Sequence, residues 1–159
     1  MTGPLSIEAL QEAGFVGFAT VADLRASRCR QVPPNPGVYV VLRDGDSEPE
    51  WLDKSTGGWF NHRNPSVTTT FLAANWVAGT AVIYIGRSND IHKRLRLLVD
   101  FGAGKPVAHW GGRLIWQVAG SEGFRVAWLP SASPEFLEAG LIQGFVDAFR
   151  AMPFGNLRR

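Results

Sequence analysis

The sequence predicts an α/β (α+β) domain in which a small sheet is flanked by helices. Three observations predict it. Short runs rich in β-branched and aromatic residues occur at 38–42, 81–86 and 124–129, the composition of strands. Elsewhere apolar residues return at helical spacing, as Ile91, Leu95 and Leu98 do, and again Leu137, Leu141, Phe145 and Phe149. At 159 residues, with 45% hydrophobic and 19% charged residues, the chain suits one domain with a real core rather than two.

Taken in order, Ser6-Ile7-Glu8-Ala9 reads as a capping-box start to a short helix ending near Glu12, with Gly14 as its stop. Thr20 is placed to cap a second helix over 21–28. Residues 1–35 therefore read as an N-terminal helical appendage without chemistry of its own. Pro33-Pro34-Asn35-Pro36-Gly37 forces a turn into the first predicted strand. Residues 43–60 carry acids, glycines, Trp51 and Trp59 but little periodicity, the mark of a long loop with room for a β-ribbon. Asn61-His62-Arg63-Asn64-Pro65 is a turn, and Ser66 starts a helix to about Trp76. After the central helix, 101–110 reads as a loop with Lys105 and His109, and 111–118 as a short helix carrying Arg113. Pro134 opens the last helix in its first turn, where proline is tolerated. Gly140 and Gly144, one turn apart, would let another element approach it. Pro153 and Gly155 end it before Asn156.

The chain is organised around residues 81–99, AVIYIGRSNDIHKRLRLLV. The strand-like start closes at Gly86. Ser88, Asn89 or Asp90 can then cap the helix that follows. At about 100° per residue, Ile91, Leu95 and Leu98 form one stripe, Arg94 lies at its edge, and Lys93 and Arg96 fall on the opposite side. Arg94 is thus singled out as a partly buried cation able to face a cleft.

Tyr84-Ile85-Gly86, with Arg94 eight residues beyond the glycine and Pro36-Gly37-Val38-Tyr39 upstream, resembles the GIY-YIG nuclease superfamily. Glu138-Ala139-Gly140-Leu141-Ile142 and Pro153-Phe154-Gly155-Asn156 look like that family's acidic helix and terminal asparagine, in the family's order. The resemblance runs from about Pro36 onward and implies a small, mainly antiparallel sheet over 36–159. It departs from the pattern in the 44 residues between the tyrosines, which imply an inserted lobe at 43–79, and in Leu97-Leu98-Val99, where the family often has a histidine. His92 or His109 would have to substitute.

The resemblance implies hydrolysis of a phosphodiester, which needs an activated water and neutralisation of charge on phosphate oxygens. Glu138 would be the sole protein ligand of one Mg²⁺ (or Mn²⁺), a hard cation that keeps most of its waters. Arg94 would grip the scissile phosphate with its planar fork. Tyr39 would be general base or water-positioning group, and Tyr84 would orient water or phosphate. An unperturbed tyrosine near pKa 10 is a poor base, so a cation must help, and Arg87 is expected to do so. Gly86 would allow close backbone approach. Lys93, Arg96, Lys105 and His109 are expected phosphate contacts, and Asn156 holds the loop beside the site or caps the chain's end. Tyr39 and Tyr84 are the only tyrosines, in a chain with ten Phe and six Trp. A hydroxyl on a ring therefore occurs only within the motifs.

Net charge is only +2, but residues 87–113 carry six Lys/Arg against two acids, while 44–53 carry five acids and no base. The basic stripe suits an anionic partner, nucleic acid first, or is simply a solvated helix face. A single cysteine excludes internal disulfides and cysteine-based zinc sites. The start lacks the pattern of a leader and nothing is long enough to span a membrane, so a cytoplasmic protein is expected. The functional expectation is a divalent-metal-dependent endonuclease acting on DNA, with RNA left open, giving 5′-phosphate and 3′-hydroxyl ends. No C-terminal DNA-binding domain is expected beyond Asn156. Target choice would then come from the insertion, the N-terminal segment, a homodimer or a protein partner. The rival is a non-catalytic nucleic-acid-binding module on the same scaffold.

Overall fold

The computed structural model describes residues 3–157. Its core is a four-stranded antiparallel sheet with strands in the order β1-β4-β2-β3. The strands are β1 (Val16–Thr20), β2 (Gly37–Leu42), β3 (Val82–Ser88) and β4 (Arg125–Pro130). The helices are α1 (Ile7–Glu12), α2 (Val21–Ala26), α3 (Thr69–Asn75), α4 (Ile91–Gly102) and α5 (Pro134–Phe149), with a 3-10 segment at Trp110–Gln117. No helix among the described residues is long and apolar enough to cross a membrane.

All six residues of β2 are buried, because this central strand is covered on both faces. Val38, Val40 and Leu42 point towards α1 and α5, packing with Leu10, Ile85 and Phe145. Tyr39 and Val41 point the other way, into a larger cluster that contains Leu24, Leu72, Leu95, Leu98 and Trp116. The expected stripe of α4 is buried at Ile91, Leu95 and Leu98. Asp90 is the residue that caps it, accepting from the Lys93 amide at 2.9 Å, an interaction of about 1 kcal/mol.

Several expectations are revised. The N-terminal segment supplies a strand as well as helices, since β1 pairs with β4 from Val16↔Trp128 to Thr20↔Arg125, with a bulge between Gly17 and Ala19. Ser6 caps α1 through the Ala9 amide, but only half a capping box forms, because Ala9 has no side chain to reach back. β3 does not stop at Gly86. It continues to Ser88 because Arg87 and Ser88 go on pairing with Val38 and Gly37 of β2. The third helix starts at Thr69 rather than Ser66, where Thr68 caps it. Gly140 and Gly144 face open space, with no element against them among the described residues.

The inserted stretch packs onto the common core. Leu72, Trp51, Phe60, Val67 and Trp76 join the same cluster as Tyr39 and α4. Buried Gln117 pins it, donating from Nε2 to the Leu52 and Val67 carbonyls at 2.9 and 2.8 Å and accepting from the Val67 amide at 2.9 Å. Each such bond spares a buried polar group a desolvation cost of about 1–3 kcal/mol.

Candidate active site

The sheet register brings the two tyrosines together. Tyr39 lies opposite Gly86 and Val41 opposite Tyr84, so both phenols project from the α4 face. Their ring centres are 5.9 Å apart, and His109 completes a three-ring cluster at 6.3 Å from Tyr39 and 5.8 Å from Tyr84. The Tyr39 hydroxyl is hydrogen-bonded to His109 Nε2 at 2.9 Å, across seventy positions of sequence. Two glycines make room. A Cβ on Gly86 would sit 2.4 Å from the Tyr39 ring, and one on Gly112 would sit 2.8 Å from His109. Gly86 is needed for close approach, but what approaches is Tyr39.

Arg94 reaches this cluster from α4. It donates to the Ala108 carbonyl at 2.9 Å, and among the described residues no carboxylate pairs with it. Its guanidinium is held in the charged form. Burial opposes the charge, and the two adjoining phenols outweigh that. Burial pushes Tyr39 well above the ordinary tyrosine range, Tyr84 adds to the rise, and Arg94 offsets only part of it. Tyr84 is raised as well, again by burial, with Arg94 opposing. His109 falls to about 3, through burial first and the Arg94 charge second, and is therefore neutral at physiological pH. Its Nδ1 is buried without a hydrogen-bond partner.

The opposite face carries the acid. Arg87 is the register partner of Val38, so it leaves β3 towards α5, away from Tyr39. Its Nη1 donates to Glu138 Oε1 at 2.8 Å, and Glu135 lies 4.0 Å from its Nη2. The cation beside Tyr39 is thus Arg94, not Arg87. Glu138 is only 6% exposed. Asn156 sits next to it and clips the outer edge of β3, accepting from the Ile85 amide at 3.0 Å and donating to the Ile85 carbonyl at 2.9 Å. Its side-chain amide continues the sheet beyond β3, the edge strand among the described residues.

The two halves meet at that edge. A cleft of about 570 Å³ is lined by Tyr84, Ile85, Trp110, Gly111, Arg113, Glu138, Asn156 and Leu157. A neighbouring one of about 500 Å³ shares Glu138, Asn156 and Leu157 and includes Arg87. Tyr39 lines neither and is wholly buried behind Tyr84. Another hollow, beside Asp44, Asp46 and Ala81, lies at the start of β3, away from these groups.

Other basic candidates are not gathered here. Lys93 is exposed, Arg96 lies near enough to Cys29 to act on its thiol, and Lys105 pairs with Asp100 at 3.5 Å. His92 is bonded to the carbonyls of Cys29 and Val32 and anchors the chain ahead of β2. His109, expected as a phosphate contact, is instead completely buried beneath the tyrosines. Sequence reasoning had no signal for Trp110 as a cleft wall or for Gln117 as the pin of the insertion.

Glu138 is the one carboxylate lining the cleft of Tyr84, and no group of three or more His, Cys, Asp or Glu among the described residues could enclose a metal ion. One carboxylate beside an open cleft fits a hard divalent cation that stays mostly hydrated. It does not fit zinc. Compared with protein-family models, with curated proteins and with solved structures, the chain matches none.

Proposed function

We propose that this protein is a divalent-metal-dependent endonuclease of the GIY-YIG type, hydrolysing phosphodiester bonds in DNA. The observation that carries the reading is convergence. Tyr84 from β3 and Glu138 from α5 line one cleft at a sheet edge, and Arg94 from α4 adjoins Tyr84 behind that wall. The overall charge pattern supports an anionic substrate.

In this reading Arg94 stabilises charge on the phosphate as water attacks phosphorus and the bond to the 3′ oxygen breaks. The attacking water's oxygen stays on the 5′ phosphate and a proton ends on the 3′ oxygen, giving 5′-phosphate and 3′-hydroxyl products. Tyr84 orients the water or a phosphate oxygen from the cleft wall. Tyr39 is protonated and out of reach of the cleft, which favours a positioning role: with His109 it fixes Tyr84 and Arg94. Glu138 would hold Mg²⁺ or Mn²⁺, which when bound supplies Lewis-acid stabilisation of developing negative charge. The Arg87 pair orients that carboxylate.

The same ion pair also favours the rival reading, a binding module whose carboxylate is engaged by an arginine rather than by metal. Incubation with single-stranded, duplex and branched DNA, in Mg²⁺, Mn²⁺ or EDTA, separates the two. Metal-dependent cutting that is lost in Glu138→Gln is the expected result. Binding that survives Glu138→Gln, with no turnover on any substrate, would favour the module. Arg94→Ala is expected to abolish cleavage while weakening binding only modestly, because one phosphate contact among several is lost.

A further inference from the structure

Beside the cleft lies a pair of arginines that the catalytic reading does not use. Arg63 and Arg113 each place their guanidinium carbon 4.5 Å from the centre of the Trp110 ring. Trp110 and Arg113 line the same cleft as Tyr84 and Glu138. Arg63 comes from the insertion and Arg113 from the 3-10 segment, so two distant stretches converge on one indole. Both are held in place. Phe60 and Arg63 exchange backbone hydrogen bonds of 3.3 and 3.0 Å around Asn61 and His62, whose φ of 51° and 63° make a tight hairpin turn. Arg113 donates to the Trp110 carbonyl at 3.2 Å. Neither forms a salt bridge to a carboxylate among the described residues. Burial and the nearby Arg63 both disfavour the charge on Arg113. Like charges fixed near each other with no carboxylate paired to either are relieved by an anion, and a stacked guanidinium keeps its donor edge for a phosphate.

Resting on the nuclease reading for its substrate class, we propose that Arg63 and Arg113, ordered on Trp110, form a seat for an uncleaved backbone phosphate of the DNA strand whose scissile phosphate lies at Tyr84 and Arg94. The insertion is then part of the substrate surface. It contributes affinity and fixes the direction in which the strand runs from the cleft, without touching the reacting atoms.

The test is binding of a labelled oligonucleotide in EDTA, across a salt series, for wild type, Arg63→Gln, Arg113→Gln and Arg63→Lys. Metal-dependent cleavage is measured alongside at saturating protein. Each glutamine variant is expected to bind about fivefold more weakly at physiological salt, with a salt slope shallower by about 1, the signature of one lost phosphate contact. Arg63→Lys keeps the charge and most of the slope. Arg63 is an exposed turn residue, so its variants retain the fold, which thermal unfolding verifies. Wild-type affinity and slope in both glutamine variants, with cleavage intact, would overturn the seat and leave the nuclease reading standing. A reduced slope with no cleavage by any form would support the seat and overturn the nuclease reading. Absence of DNA binding by the wild type would overturn both.

Discussion

The two faces of the sheet at the β2–β3 edge solve opposite electrostatic problems. On the α4 face, Tyr39, Tyr84 and His109 pack as a neutral, buried cluster with the Arg94 charge beside it. On the α5 face, Arg87 and Glu138 form an ion pair at the rim of a cleft. One strand feeds both. Side chains alternate along β3, so Tyr84 and Gly86 go to one face while Ile85 and Arg87 go to the other. Parity of position therefore decides which residue can help which, and it gives Tyr39 a partner in Arg94 rather than in Arg87. Only at the outer edge of β3, where Asn156 takes the place of a fifth strand, can Tyr84 and Glu138 line one cleft.

This contrast can be broken most severely at Gly86. In Gly86→Ala the new Cβ would meet Tyr39 Cζ at 2.4 Å and its hydroxyl oxygen at 2.6 Å, and the buried ring has no room to retreat. We expect a loss of about 3 kcal/mol, typical of an overpacked core. Displacement of the cluster should also lower cleavage about hundredfold. Denaturant unfolding and a cleavage assay would register both.

Asn156→Ala attacks the seam between the faces. The amide and carbonyl of Ile85 would lose their partners at the covered edge. About 2 kcal/mol of stability should go with them. Asn156→Asp should recover part of it, because a carboxylate still accepts from the Ile85 amide but cannot donate to the carbonyl.

His109 sharpens the comparison through pH. Folding keeps it neutral, with a pKa near 3 against an ordinary 6.5, so the unfolded chain binds a proton that the folded chain lacks throughout that window. Stability is therefore complete above about 6.5 and declines as pH falls towards about 3. The slope from this one group is at most about 1.4 kcal/mol per pH unit. Thermal melts of His109→Gln, which can still bond Tyr39, should show a shallower acid decline than wild type. An identical decline would mean that His109 takes no part in it.

The main elements were legible because their patterns are strong. The β-branched runs of β2 and β3, the three-residue stripe of α4 and the proline at the start of α5 each have one physical reading. β1 was not legible. Gly17 and Phe18 both have positive φ at its bulge and Val16 is exposed, so its alternation is broken and its strand character comes from pairing with β4. Register explains the split at the candidate site. Spacing singled out Arg94 as an edge residue, and the structure sets it beside both phenols. The same spacing could not say that Arg87 turns away, because that depends on which residue of β2 it faces. His109 lay out of reach for another reason: its contact with Tyr39 spans the whole insertion and α4. The insertion itself, with few periodic residues, gave no sign that Gln117 would bind it to the common core.

The most direct test of the central claim, that the two faces act together on one phosphate, is single-turnover DNA cleavage by Tyr84→Phe, Glu138→Gln and the double variant. We predict that each single change costs about hundredfold or more, and that the double variant is hardly worse than the poorer single one, as groups that act as a unit behave. A near wild-type rate in either single variant, or losses that simply multiply, would contradict it.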